Sequence, residues 1–352
     1  MKESRKKLIW TARIVLFFAL VHYYLYPPLN LVQFGNTQFP LKEIWSQKLD
    51  GNTRDITIIE SKSLVIVRTS NKIFALDKNQ GNVIWQFSSP HVSVSAPAVF
   101  NGLTLFINDN QSLWAIRPED GQVLWSQPLN SYSTWIPDAS ERIVLVNELG
   151  RYVRAYDTQS GSLLWSIGVT TGSKPSFIKD DLVYIVDYGV KAVDALTGKI
   201  LWSERSVPVR SATYLDGVVY YTPGNKIVAF DVTSRKELWS HDLYTEPDSV
   251  TVINNYIMTT TQLYFRAYDR LDGHLVWEMP IELPINPSAI DNKVYVRDSY
   301  AVKIRAFDID SGQDAGSVRI AFPWFTIEKR DLVSSGNMLF FSRGNELFAF
   351  EK

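Results

Sequence analysis

The sequence predicts an all-β ring: an eight-bladed β-propeller of four-stranded blades, closed by pairing of its first and last strands and preceded by one N-terminal transmembrane helix. Three observations predict it. Tryptophan recurs at Trp45, Trp85, Trp125, Trp165, Trp202, Trp239 and Trp277, with spacings of 40, 40, 40, 37, 37 and 38 residues. A wider pattern, A-x-D-x3-G-x3-W, recurs around it. The first 42 residues stand apart, with a basic start followed by an apolar stretch. Self-similarity at such a period marks an array of one supersecondary unit.

Residues 1–7 carry Lys2, Arg5, Lys6 and Lys7 against the single acid Glu3, and are expected in the cytoplasm. Residues 8–28 are read as a transmembrane signal anchor. The stretch is apolar but for Arg13 and His22, and it ends at Pro27-Pro28, which cannot continue a helix. Trp10 sits near the inner end, and Tyr23, Tyr24 and Tyr26 near the outer end, as interfacial aromatics do. A helix from Trp10 to Tyr26 rises about 24 Å, a little short of the roughly 30 Å hydrocarbon core. Arg13 is placed to snorkel toward the positive side. A cleaved leader needs small residues after the apolar run, and Phe18 to Tyr24 supplies no such site. A lipid-modified N-terminus needs cysteine, and the chain has none. The expected location is therefore the cell membrane, with a single pass and the body of the protein extracytoplasmic. Residues 29–42 form a short tether whose fourteen residues reach at most about 50 Å.

The remainder, residues 43–352, is the repeat array. The full pattern appears as Ala75, Asp77, Gly81 and Trp85; as Ala155, Asp157, Gly161 and Trp165; as Ala192, Asp194, Gly198 and Trp202; and as Ala267, Asp269, Gly273 and Trp277. Arg117 replaces the acid between Ala115 and Trp125, and Arg235 replaces the glycine between Ala229 and Trp239. A further copy has Ala306, Asp308 and Gly312 but Gly316 at the tryptophan position. Each copy reads as a β-hairpin. Residues 72–76 alternate and are rich in β-formers. Asp77 starts the turn by accepting from amides just ahead, and Gly81 supplies a positive φ. Residues 82–87 return, carrying Trp85. Residues 96–100 and 103–108 supply two more strands before the next hairpin, giving four strands per period, which is a propeller blade. The chain ends on half a motif around Ala349, and the array begins with a return strand around Trp45. Joined, they complete an eighth blade and remove the open sheet edge.

These residues resemble the pyrroloquinoline-quinone-type propeller repeat, whose signature is A-x-D-x-x-T-G-x-x-x-W, across residues 43–352. Thr197-Gly198 keeps its Thr-Gly pair in full. The resemblance implies that each of the seven tryptophans docks between blades, near the alanine of its own motif and the glycine of a neighbour. Gly316 departs from that pattern. The family includes quinone-dependent alcohol and sugar dehydrogenases, so the resemblance would admit pyrroloquinoline quinone with calcium in the central funnel. This chain is shorter than those enzymes, lacks the adjacent cysteine pair many of them carry, and offers no matching catalytic aspartate. It is also similar, in repeat type and blade count, to the non-enzymatic propeller lipoproteins of outer-membrane β-barrel assembly, although its attachment is read as a helix.

The search for chemistry is otherwise spare. His22, His91, His241 and His274 have no metal-ligand spacing, and there is no nucleophile elbow, phosphate loop or H-E-x-x-H motif. Asn108-Asp109-Asn110 and the run from Asp308 to Gly312 read as turns. Arg154, Lys191, Arg266 and Arg305 precede the repeat alanine in four blades, where their stems cover apolar surface. The net charge is −1; residues 1–13 hold five of the 36 basic and one of the 37 acidic side chains, so the rest carries −5. That mild acidity argues against a nucleic-acid partner, which wants a basic surface. Large apolar side chains beside prolines in the inter-blade loops, Trp135 near Pro137 and Phe322, Trp324 and Phe325 around Pro323, are the candidate partner contacts. The expected function is non-catalytic: an envelope module that binds or scaffolds other proteins, with no cofactor and no metal. The alternative is a quinone- or small-ligand-binding propeller with a redox or sensory role.

Overall fold

The computed structural model describes residues 39–352 except 71, 90–97, 109–110, 130–137, 149–150, 170–175, 180, 282–283, 299–302 and 320–331. The chain forms eight antiparallel sheets of four strands. Blades 1 to 7 are continuous meanders over residues 53–87, 98–128, 138–168, 176–205, 209–242, 249–280 and 284–319. Blade 8 combines residues 332–351 with the strand Lys42–Lys48, which pairs antiparallel with Glu346–Glu351. The first strands of successive blades meet one another around the ring, so they are innermost, and the fourth strands form the circumference. Side-chain bonds stitch the inner strands together: Asn101 Nδ2 donates to the Ser140 carbonyl, the Asp138 carboxylate accepts from the Ile178 amide, and Ser211 Oγ accepts from the Val250 amide.

Among the described residues the apolar side chains do not gather into one core. Eight apolar clusters each span two neighbouring blades, so every sheet is buried on both faces. This explains why the second strands, such as Leu64–Thr69 and Ile143–Glu148, are buried along their whole length. Repeat architectures distribute stability in this way, through nearest-neighbour interfaces.

In all eight blades the repeat alanine and the tryptophan position are directly paired: Ala75 with Trp85, Ala155 with Trp165, Ala349 with Trp45, and Ala306 with Gly316. One residue is bulged out of the outer strand at this point in every blade, immediately before the tryptophan position. A bulge re-aims the side chain that follows it. It also turns two consecutive apolar side chains outward, which is why Val83 and Ile84, Leu163 and Leu164, and Ile200 and Leu201 are all exposed. No residue type in the repeat marks this bulge.

The folded body starts earlier than expected. Lys42 already lies in a strand, and Phe39 and Leu41 are buried in the cluster between blades 7 and 8. The last residues of the stretch read as tether are thus part of the ring, because their apolar side chains have a place to pack. The segment read as the anchor, residues 8–28, and most of the tether lie outside the described residues. Among the described residues no helix is long and apolar enough to cross a membrane.

Candidate functional site

The repeated turn fixes one face of every junction. Asp77 Oδ1 accepts from the amides of Asn79 and Gln80, each at 2.8 Å, and the Gly81 amide donates to the Asp77 carbonyl at 2.9 Å. The same geometry recurs at Asp157, Asp194 and Asp308. Hydrogen bonds from Ser160 hold the Asp157 carboxyl below its ordinary value, the Thr197 hydroxyl does so at Asp194, and the Ser311 hydroxyl at Asp308. Where Arg117 replaces the acid, Asp120 Oδ1 accepts from the Gln122 amide and its other oxygen takes the Arg117 guanidinium at 3.0 Å.

The turn glycine lies against the tryptophan of the preceding blade. A Cβ on Gly81 would come within 2.6 Å of Trp45, one on Gly121 within 2.8 Å of Trp85, one on Gly161 within 2.8 Å of Trp125, and one on Gly198 within 2.6 Å of Trp165. Gly273 stands in the same relation to Trp239, and Gly312 to Trp277. Six indoles also donate Nε1–H to a carbonyl in that neighbouring turn: Trp45 to Lys78, Trp85 to Pro118, Trp125 to Thr158, Trp165 to Ala195, Trp239 to Arg270 and Trp277 to Ile309, at 2.7–3.1 Å. The indole also faces the second-strand aromatic where there is one, as Trp125 does Phe106 at 5.8 Å and Trp239 does Tyr220 at 6.0 Å.

The junction between blades 4 and 5 differs. Arg235 stands where the glycine would be, keeps its positive φ of 57°, and lays its guanidinium 5.6 Å from the centre of the Trp202 ring. Five of the six residues of the blade 4 outer strand, Ile200–Arg205, are exposed, and Trp202, like Trp45 and Trp125, is only partly buried. A groove of about 570 Å³ opens between the two blades. Glu204, Arg205 and Val207 line one wall; Lys226, Phe230, Arg235 and Glu237 line the other. Tyr221 lies buried at its base, its phenol pushed up to about 12, first by burial and then by Glu237 and Glu204. It therefore stays neutral and keeps its proton. This groove was not foreseen; its signal in the sequence was the lone replacement of the turn glycine by arginine.

Trp135, Phe322, Trp324 and Phe325 lie outside the described residues. Arg154 pairs with the fully buried Glu148 at 2.8 Å, Lys191 with Asp187 at 3.5 Å, Arg266 with Glu278 at 2.5 Å and Arg305 with Asp314 at 2.9 Å, all within their own blades. Among the described residues one trio could offer a cation three ligands, Asp269, Asp272 and His274. They share one hairpin turn, where Asp269 and Asp272 already accept from the amides of Leu271 and His274.

Ring closure, blade number and the repeated turn define an all-β, eight-bladed propeller of the quinone-type repeat class. A family model described as outer membrane protein assembly factor BamB matches residues 42–134, 109–255 and 149–297. The chain belongs to that family. The assembly factor BamB of Yersinia pestis is 28% identical over 161 residues, a match spanning 41% of this chain and 40% of that protein. The crystal structure of BamB from Moraxella catarrhalis superposes with a TM-score of 0.75 at 17% identity, covering 89% of this chain and 100% of the other. The same fold carries an enzyme: a quinohemoprotein alcohol dehydrogenase of Pseudomonas putida superposes at a TM-score of 0.66 and 12% identity, covering 93% of this chain and 78% of that one.

Proposed function

We propose that this protein is a non-catalytic binding and scaffolding propeller of the cell envelope, engaged in assembling outer-membrane proteins. It is held at the membrane by residues 8–28, with the propeller extracytoplasmic. The observation that carries the reading is the groove beside Arg235, in a chain whose family is described by outer-membrane assembly. A strained backbone is kept there on a bulky cation, and such strain concentrates at functional positions. The free edge of Ile200–Arg205 and the mixed charges of the groove suit an extended segment of a partner protein. Such a segment would add to the edge of blade 4 and place alternate side chains against Lys226, Arg235 and Glu237. The tryptophans serve in this reading as clasps between blades, keeping the ring rigid while the loops and the groove bind.

In-cell crosslinking followed by mass spectrometry tests the proposal. It is expected to return reproducible envelope proteins, and an outcome with none would contradict it. Purified protein given pyrroloquinoline quinone, calcium, alcohols and an artificial electron acceptor is expected to show no turnover. Turnover would replace the scaffold reading with the redox one.

A further inference from the structure

We propose that the junction between blades 7 and 8 holds a binding site for an aromatic side chain, which the chain fills from its own N-terminal segment with Phe39. At six of the other junctions a tryptophan of one blade lies on the turn glycine of the next, and at the seventh Trp202 meets Arg235 in the glycine's place. Blade 8 has no such turn, because its third and fourth strands come from the two ends of the fold. Counting back four residues from Trp45, the offset that separates turn glycine from tryptophan elsewhere, reaches Leu41. Its counterpart on blade 7 is Gly316. The large and small residues are therefore exchanged at the seam: leucine stands for glycine and glycine for tryptophan.

Phe39 completes the exchange. Its ring centre lies 5.9 Å from that of Tyr295, the second-strand residue paired with Ala306. Trp45 lies 5.9 Å from Phe340, and Phe340 is paired with Ala349 in the same way. Phe39 thus occupies, on blade 7, the place a tryptophan holds on blade 8. It also meets Phe350 edge-on at 6.1 Å, and it shares a cluster with Leu41, Ala306, Val318 and Phe341. The site takes an aromatic side chain from an extended segment that runs into Lys42–Lys48. Its occupancy locks the closing strand, whose Lys42 pairs with Glu351 at the mouth of the hairpin turns.

Hydrogen exchange on the full-length protein tests this. Phe39→Ala is expected to raise exchange about tenfold or more in Glu346–Glu351 and in blade 7, with little change in blades 2 to 4, while Phe39→Trp stays near the parent. A generic loss of stability would raise exchange in all blades together, and that outcome, or no change at the seam, overturns the proposal. A second arm combines Gly316→Trp with Phe39→Ala and Leu41→Gly. The three together are expected to lower the melting temperature by less than the sum of their separate effects, because the tryptophan gains its slot only when the N-terminal side chains vacate it. Strict additivity would contradict the exchange of large and small residues.

Discussion

Gly121 carries no side chain, and that absence lets Trp85 lie on its backbone. Its φ of 73° and the indole that an added Cβ would meet at 2.8 Å make two separate demands on the position. Gly121→Ala is expected to lower stability by about 2–4 kcal/mol, from left-handed strain plus overpacking, as measured by denaturant unfolding. Trp165→Ala, at an indole 7% exposed, should cost about 3–5 kcal/mol; a melt matching the parent would contradict the clasp role. Arg235→Gly should act oppositely. Relief of a left-handed non-glycine residue is worth about 1–2 kcal/mol. The lost stacking on a partly exposed Trp202 is worth about 0.5–1 kcal/mol. Strain relief wins, so the variant should be as stable as the parent or more so, yet recover less partner. The tryptophan and glycine positions were legible in the sequence because they repeat. The exchange of Leu41 for glycine was not, because the rest of its motif lies at the opposite end of the chain, beside Ala349.

At the scale of the element, the hairpin with its aspartate turn was readable and its bulge was not. The turn residues declare their conformations locally, whereas the bulge, present even before Gly316, belongs to the register between the outer strand and its neighbour. The turns also set an acid response. The carboxyls of Asp157, Asp194, Asp231 and Asp308 all lie below their ordinary 3.8 because they accept hydrogen bonds in the folded turn. A depressed folded value contributes stability above 3.8 that is lost as pH falls through the folded values. Melting temperature should therefore drop from about pH 4 downward, and less steeply in a combined Asp→Asn variant of these four. A buried acid opposes the trend: burial raises the Asp138 carboxyl, so its contribution is lost as pH rises through its folded value. An unchanged acid slope in the fourfold variant would show that the turns are not the sensors.

For the whole molecule, the ring and its closure were legible because eight alanine positions could be counted. The groove between blades 4 and 5 was not, since it depends on how far one outer strand stands from its neighbour. Because Lys42 pairs with Glu351, the chain enters the ring at the mouth that carries the hairpin turns. If residues 8–28 span the membrane as proposed, that mouth is expected to face the bilayer; Tyr244, which is 99% exposed in an inter-blade loop, lies at the opposite mouth. The chain has no cysteine, so single labels are clean. A fluorophore on Asn79→Cys is expected to be quenched by lipid-borne quenchers and one on Tyr244→Cys to be spared; equal quenching would refute the orientation. The groove beside Arg235 is the proposed contact with a partner protein in the envelope. Photo-crosslinking in living cells from a reactive residue at Lys226, with Leu103 in a turn of blade 2 as control, tests it most directly. A discrete envelope-protein adduct is expected from Lys226, absent from Leu103 and weakened by Arg235→Gly. The same adducts from both positions, or none from Lys226, would contradict it.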